Sequence, residues 1–430
     1  YERGESVGGC VQTLRRDGLV MELGGDSLLI DKPAAASLLR RLHLEEQIVD
    51  VRPEFKGARI VHRARLHRIP PEFRLFAPRS LPALLTIGIF SPLGISRAAM
   101  EPFIPPRKDA QDESLASFVT RRFGREVLDR LAQPLIGGIY SGDPKRLGMN
   151  ATLPQFLELE RRYGSLIRAM QSAQTPAASP RLVGLRDGLA SIVDALRAEI
   201  GDAIYTQSSV AALRREDEHW SIAFSNGSWA QADAVVCALP AHAAATALRE
   251  QDSSLSDLLE GIRHNSIATV NLVYDAAATP KLPPSTGFVV PHIEGRRITA
   301  ATFTTQKYPG RAPDGTAIVR AFIGGALQPE LVELSENELV TIARDELSQL
   351  AGIAGAPKAA FVTRWRSLLP EYGLGHTDLV NQIEERAARI GGLGLAGSAH
   401  RGVGVPDCIQ TGEAAAESVF GYIRARKERV

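Results

Sequence analysis

Apolar residues recur along this chain at helical spacing in some stretches and in alternation in others. Residues 58–69, ARIVHRARLHRI, alternate like a strand or hairpin. KPAAASLLRRLHL, from Lys32 to Leu44, reads as a helix with Pro33 in its first turn. Apolar residues three and four apart predict helix over 112–135 and 153–170, with the glycine-rich turn GGIYSGDPKRLGM between them. GLRDGLASIVDALRAEI predicts an amphipathic helix behind a glycine turn. AIYTQSSVAALRRED, HWSIAFSN and ADAVVCALP predict three strands, the last with the near-continuous apolar run of a strand buried on both faces. IATVNLVYD, RITAATFTT and AIVRAFIGG predict further strands, and ENELVTIARDELSQLAGI a helix. The chain closes with a strand, a glycine loop and a long helix in LGLAGSAHRGVGVPDCIQTGEAAAESVFGYIRARK. This order predicts α/β layers, α+β overall, with a mainly helical insertion at about 80–170. The Pro/Ala stretch at 174–180 reads as a short linker.

Length and composition narrow this picture. A chain of 430 residues predicts two or three domains. A net charge of +1 argues against bulk nucleic-acid binding, which needs a basic face. Cys10, Cys237 and Cys408 are far apart and form no CxxC, so neither a disulfide framework nor a zinc site is expected, and a reducing, cytoplasmic compartment fits. Charge is locally uneven: residues 52–79 hold eight Lys/Arg against two Glu, and the uncharged run Ser80–Ser96 follows at once. That run is short for a membrane span and is broken by Pro82 and Pro92. It reads either as a buried loop and helix or as a surface lying on a membrane or lining an apolar cavity.

Two stretches carry candidate chemistry. At the C-terminal end, GLGLAG runs into SAHRGVGVPDCIQTGEAAAES. Glycines there permit close backbone approach to a ligand, and a helix starting near Asp407 would aim its N–H groups at an anion. The alternative is an ordinary strand-to-helix turn. At the other end, YERGESVGGC places Glu2 before a glycine pair, as where an acidic residue closing a strand binds ribose hydroxyls. An N-terminal tail would look the same.

Taken together, these ends and the centre resemble the oxygen-dependent, FAD-containing protoporphyrinogen oxidases, which share a fold with amine oxidases and phytoene desaturases. The opening is similar to the second FAD motif of that superfamily, and ELGGDSLL to a family segment with Pro in place of Gly25. QPLIGGIYSGDPKRLGMNATLPQFLELERRYGSLIRAM, KYPGRAPDGTAIVRAFIGG, RWRSLLPEYGLGH and GSAHRGVGVPDCIQTGEAA resemble further family segments, over nearly the whole chain. Ser6 stands where Arg is usual, and Cys10 where Trp, Arg or Lys is common. The family's first strand and GxGxxG loop would precede Tyr1, so the sequence is expected to be an N-terminally shortened form of such a protein.

The resemblance implies a Rossmann-like FAD domain of the amine-oxidase type over 1–55, 181–240 and 385–430. It implies a mixed-sheet substrate domain over 56–80 and 241–384, and a helical domain over 81–180 open to a membrane-facing role. Glu2 would bind the adenosine ribose, and Gly8, Gly9 and Cys10 would pass the pyrophosphate and flavin. Gly24, Gly25, Asp26 and Ser27 would line the isoalloxazine. Val210 would meet the adenine, Trp365 would lie near the ring, and Ser398, Val403, Gly404 and Val405 would hold the flavin and ribityl chain. On the substrate side, Arg59 would bind a propionate, and Phe288 and Val289 would wall the tetrapyrrole. The implied reaction is oxidation of protoporphyrinogen IX to protoporphyrin IX in haem biosynthesis, with oxygen as acceptor and hydrogen peroxide as product. Oxidation of coproporphyrinogen III and a non-catalytic tetrapyrrole-binding remnant stay open as alternatives. The partners expected are the porphyrinogen and oxygen, with peripheral contact to the inner membrane and a homodimer compatible. No catalytic residue and no metal ligand is assigned, and His376 and His400 are expected to pack or hydrogen-bond.

Overall fold

The alternating segments of the middle and C-terminal thirds assemble one seven-stranded mixed sheet in the computed structural model, which describes residues 1–109, 111–172 and 181–428. The strand order is Ala359–Pro370, His264–Asp275, Thr316–Gly324, Ala300–Phe303, Gly287–Val289, Ala58–His62, Arg65–Arg68. Every pairing is antiparallel except Gly287–Val289 on Ala58–His62. One face is apolar and packs on the helix Glu336–Ala351 through Val61, Ala268, Val270, Phe288, Val319 and Leu347. That helix starts on a capping box, Ser335 with Glu338. The residues between those, on the opposite face, include Thr269, Asn271, Arg320 and Trp365. That polar face turns toward the N-terminal segment.

The helical insertion packs on Ile60 and Val289 at the sheet's far end. Its interior holds Phe76, Phe118, Phe123 and Phe156, together with a buried ion pair, Arg122 with Glu101. Glu101 also accepts the Leu166 N–H at 2.8 Å and so caps the helix Leu166–Ser172. The run Ser80–Ser96 forms two short helices, Leu81–Thr86 and Pro92–Ala99. The expectation of buried helix holds in part: Ala83, Leu84, Ile87 and Ile89 are buried, while Leu85 and Leu93 are 64% and 83% exposed. Among the described residues no helix is long and apolar enough to cross a membrane.

The remaining layer joins both chain ends. Leu28–Leu29, Leu182–Leu185 and Ile48–Asp50 form a small sheet under the helices Pro33–Arg41 and Ala190–Ile200. Val235–Cys237 pairs in parallel with Leu393–Leu395. Burial on both faces was expected of this strand, yet Val236 is 40% exposed; only the side carrying Cys237 packs into the alanine-rich helix Ala241–Leu248. The strand Trp229–Ala232 had no sequence signal, being a short, polar edge of the three-stranded meander Val210–Ala232. The predicted linker at 174–180 lies outside the described residues.

Candidate functional site

The two ends converge because apolar residues from each share one core. Val11, Ile30, Val405 and Ile409 pack together against Leu28, Leu38 and Leu185, and Lys32 forms an ion pair with Asp407. Glu2 is oriented locally: its Oε1 accepts the Gly4 N–H at 2.7 Å. Its backbone pairs with Tyr205 and Ser208, and Tyr1 stacks on Tyr205, which brings the start of the chain alongside Val210. Gly8 and Gly9 both have positive φ, +112° and +56°. A Cβ on Gly8 would press on Val193 at 3.0 Å, whereas the space beside Gly9 is open. The Cys10 carbonyl packs on Gly24, where an added Cβ would approach it to 2.0 Å; the space beside Gly25 is open.

Segment 22–24 is held from below by the polar face of the sheet. Arg320 donates to the Glu22 and Gly24 carbonyls at 3.0 and 2.8 Å. Thr269 Oγ1 and Trp365 Nε1 donate to the Leu23 carbonyl at 2.8 and 3.0 Å, and Asn271 reaches the Glu22 carbonyl at 3.3 Å. Beside this clamp lies a cluster of charges. Lys307 donates to both oxygens of Asp26 at 2.9 Å, and Arg320 lies 3.2 Å from it. Burial alone would raise the Asp26 carboxyl, but Lys307 and Arg320 outweigh it and hold the group well below the usual carboxylate range. Ser27 Oγ bonds both Asp26 and the Tyr308 hydroxyl at 2.8 Å. Glu22 is buried, and burial raises its carboxyl although Thr13, the Leu189 N–H and Arg311 act against it. Asp26 and Ser27 therefore spend their side chains on Lys307, Arg320 and Tyr308.

The C-terminal loop 396–404 is tied to the loop 371–376. The Tyr372 hydroxyl donates to the Ser398 carbonyl at 2.6 Å and accepts the Gly402 N–H at 2.7 Å. Burial raises that phenol, so it stays protonated. His376 stacks on Tyr372 at 3.9 Å between ring centroids, and its Nε2 lies 3.1 Å from the His400 carbonyl. Burial holds the His376 imidazole at about 4, so it is neutral and donates this bond. His400 Nδ1 is buried with no hydrogen-bond partner among the described residues. Val403, Gly404 and Val405 lie where the loop enters the 23-residue helix Val405–Lys427, whose positive end favours an anion.

This arrangement fits a dinucleotide. It offers an oriented carboxylate for ribose hydroxyls, glycine backbone with open space at Gly9 and Gly25, and a long helix N-terminus aimed at the junction of the two ends. The residues predicted for the substrate are divided. Val289 faces the helical insertion, and a Cβ on Gly138 would stand 3.9 Å from its Cγ1. Phe288 is in the core against Glu336–Ala351, and Arg59 is paired in register with both Phe288 and Arg68 on that same face, away from Gly24. Arg59 Nε is buried without a partner among the described residues. The seam between the helix Gln133–Tyr140 and the sheet, lined by Gly138, Ile267, Thr299 and Gly324, holds only about 30 Å³, room for a water and not for a tetrapyrrole.

Sequence reasoning missed Arg320, Lys307, Thr269, Asn271 and Tyr372. A signal existed for two of them: Asn271 and Arg320 each interrupt an apolar run, in TVNLV and IVRAF, where a strand buried on both faces should be apolar.

Residues 1–420 match the family profile described as flavin containing amine oxidoreductase. The chain is 32% identical over 432 residues to the coproporphyrinogen III oxidase of Bacillus subtilis (strain 168), covering 98% of this chain and 91% of that protein. It is 26% identical over 454 residues to the chloroplastic protoporphyrinogen oxidase of Nicotiana tabacum, covering 98% and 81%. The crystal structure of a candidate protoporphyrinogen oxidase from Exiguobacterium sp. 255-15 superposes with a TM-score of 0.86 at 29% identity, covering 97% of this chain and 91% of that one.

Proposed function

The chain belongs to the flavin-containing amine oxidoreductase family, and from that premise we propose that it oxidises a porphyrinogen to the aromatic porphyrin with oxygen as acceptor. FAD supplies the two-electron redox chemistry when bound. The observation that carries the reading is the convergence of the glycine segment 8–27 with loop 396–404 over a clamp of sheet side chains. In this reading Glu2 takes the ribose, and Gly8, Gly9 and the Cys10 backbone follow the pyrophosphate. Gly24, Gly25, Val403, Gly404 and Val405 would hold the ring. Arg320, Thr269, Asn271 and Trp365 set the position of Gly24 by fixing the carbonyls on either side of it. Tyr372 does the same for Ser398 and Gly402. Asp26 and Ser27 act through Lys307 and Tyr308 to hold the loop.

The sequence put protoporphyrinogen IX first and coproporphyrinogen III second. The name of the Bacillus subtilis relative favours coproporphyrinogen III as the substrate, with coproporphyrin III as product; the tobacco relative supports protoporphyrinogen IX as the second reading. The ring would enter between the helical insertion and the sheet, where Val289 walls the seam, and this requires the helix Gln133–Tyr140 to move outward. Leu81, Leu85, Leu93, Met100 and Phe103 are all exposed on the insertion. The basic hairpin 58–68 adjoins them, with His67 Nδ1 3.4 Å from a Cβ placed on Gly88. These residues support a peripheral membrane contact.

The test is a paired assay of the FAD-loaded protein on both porphyrinogens, following porphyrin fluorescence and peroxide together. The expected result is a higher kcat/KM on coproporphyrinogen III, with one peroxide per electron pair removed. A preference for protoporphyrinogen IX would reverse the substrate order, and turnover without peroxide would remove oxygen as the acceptor.

A further inference from the structure

A second cleft lies behind the flavin loop, on the far side of Tyr372. It encloses about 270 Å³ and is lined by Lys145, Arg146, Arg263, Glu371, Leu374 and His376, with backbone from neighbouring glycines. Three cationic side chains thus face one carboxylate. That carboxylate is already committed: Glu371 takes Arg146 at 2.5 and 3.0 Å and Asn265 Nδ2 at 3.0 Å. Lys145 and Arg263 are exposed, and neither has a carboxylate within 4.0 Å among the described residues. Two exposed cations without a carboxylate partner among the described residues therefore border a concave wall whose own acid is spent.

The volume sets the class of ligand. It falls below the roughly 300–1,000 Å³ of sites that hold drug-sized molecules, so a tetrapyrrole is too large and a small anion fits. Arg presents a planar fork that matches carboxylate or phosphate oxygens, and Lys adds a point charge. The wall is also mechanically shared. Glu371, Leu374 and His376 line the cleft, while Tyr372 and His376 of the same loop hold Ser398, Gly402 and His400 of the flavin loop. A ligand drawing Lys145 and Arg263 inward would press on the loop that positions loop 396–404.

We propose that this cleft binds a small polyanion, phosphate or carboxylate in kind, and that its occupancy is passed to the flavin loop through Tyr372 and His376. Calorimetric titration of the FAD-loaded protein at fixed ionic strength tests the binding, with inorganic pyrophosphate and citrate as the probes. One-site binding of at least one probe is expected, and which one binds identifies the chemistry. The double variant K145A/R263A should weaken it by about tenfold or more, while K145R/R263K should keep it. Both residues are exposed, so the variants are expected to fold. Absence of saturable binding below about 10 mM, or equal affinity in K145A/R263A, would overturn the site. The same titration followed by visible circular dichroism of the bound flavin tests the coupling. A spectral shift should accompany binding in the natural protein and vanish in Tyr372→Phe with affinity retained. Binding with no shift in the natural protein would overturn the coupling.

Discussion

His376 shows how one buried ring ties cofactor geometry to stability. Its imidazole is held at about 4 by burial, against an ordinary value of 6.5. The unfolded chain takes up a proton as pH falls through 6.5, while the folded chain does not until about 4, so the unfolded state binds more protons throughout that window. Stability must fall as the solution is acidified from 6.5 toward 4 and is flat in this group above 6.5. A depression of this size corresponds to at most about 3 kcal/mol. His264 sits at about 4 for the same reason and adds to the slope. The depressed carboxylates, Glu126 and Glu371 among them, lose their contribution only below their ordinary value of 4.5, so above it the depressed histidines set the acid slope, opposed by Glu22, whose raised carboxyl takes up its proton first in the folded chain. Urea unfolding at a series of pH values should show a shallower acid slope in His376→Gln, whose amide can still donate to the His400 carbonyl. An unchanged slope would mean that the ring titrates normally in the folded protein.

The helix Gln133–Tyr140 is the element where stability and turnover should part. Five residues in π-helical geometry, Leu128–Ala132, precede it, and Ser141 ends it with φ of +49°. Such irregular turns are common at functional sites. Gly138 sits mid-helix, and an added methyl would meet Val289 at ordinary contact distance, 3.9 Å. Gly138→Ala should therefore raise stability by up to about 1 kcal/mol through helix propensity. If the substrate enters here as proposed, it should also lower kcat/KM, because the methyl fills a seam of about 30 Å³ that the substrate would have to part. A more stable variant with unaltered kcat/KM would place the substrate route elsewhere. The helix itself was legible in the sequence, since apolar spacing reports which face is buried. The seam beneath it was not, because that depends on Val290 and Gly324, which lie far away in the chain.

At the scale of the whole molecule, sequence patterns announced the layers better than the ties between them. The hairpin 58–69, the long strands at 264–275 and 316–324 and the C-terminal strand and helix follow from periodicity alone, whereas the hairpin Thr13–Glu22 was not read. The clamp on segment 22–24 does not, because Arg320, Thr269 and Trp365 come from three strands and meet only after the sheet forms. Arg59 shows the converse: its local motif was read correctly as a strand, but a period of two decides which face it takes, and it shares the face of Phe288. The clamp yields the most discriminating prediction. Arg320 bridges Asp26 and two backbone carbonyls, so Arg320→Met leaves Asp26 to Lys307 and Ser27, the Glu22 carbonyl to Asn271, and takes the Arg320 donor from the Gly24 carbonyl. Losing a charged hydrogen-bond donor while Lys307 remains on Asp26 costs about 1.5–3 kcal/mol, and the melting temperature should drop accordingly. A purely structural tie would lower the FAD-free and FAD-loaded forms equally. If the clamp sets the position of Gly24 against the flavin, the variant also binds FAD more weakly, and the extra stability that bound ligand confers must shrink with it. Thermal unfolding of both forms at one fixed FAD concentration separates the two cases: the gap between them narrows if the clamp serves the cofactor and is unchanged if it serves the fold alone.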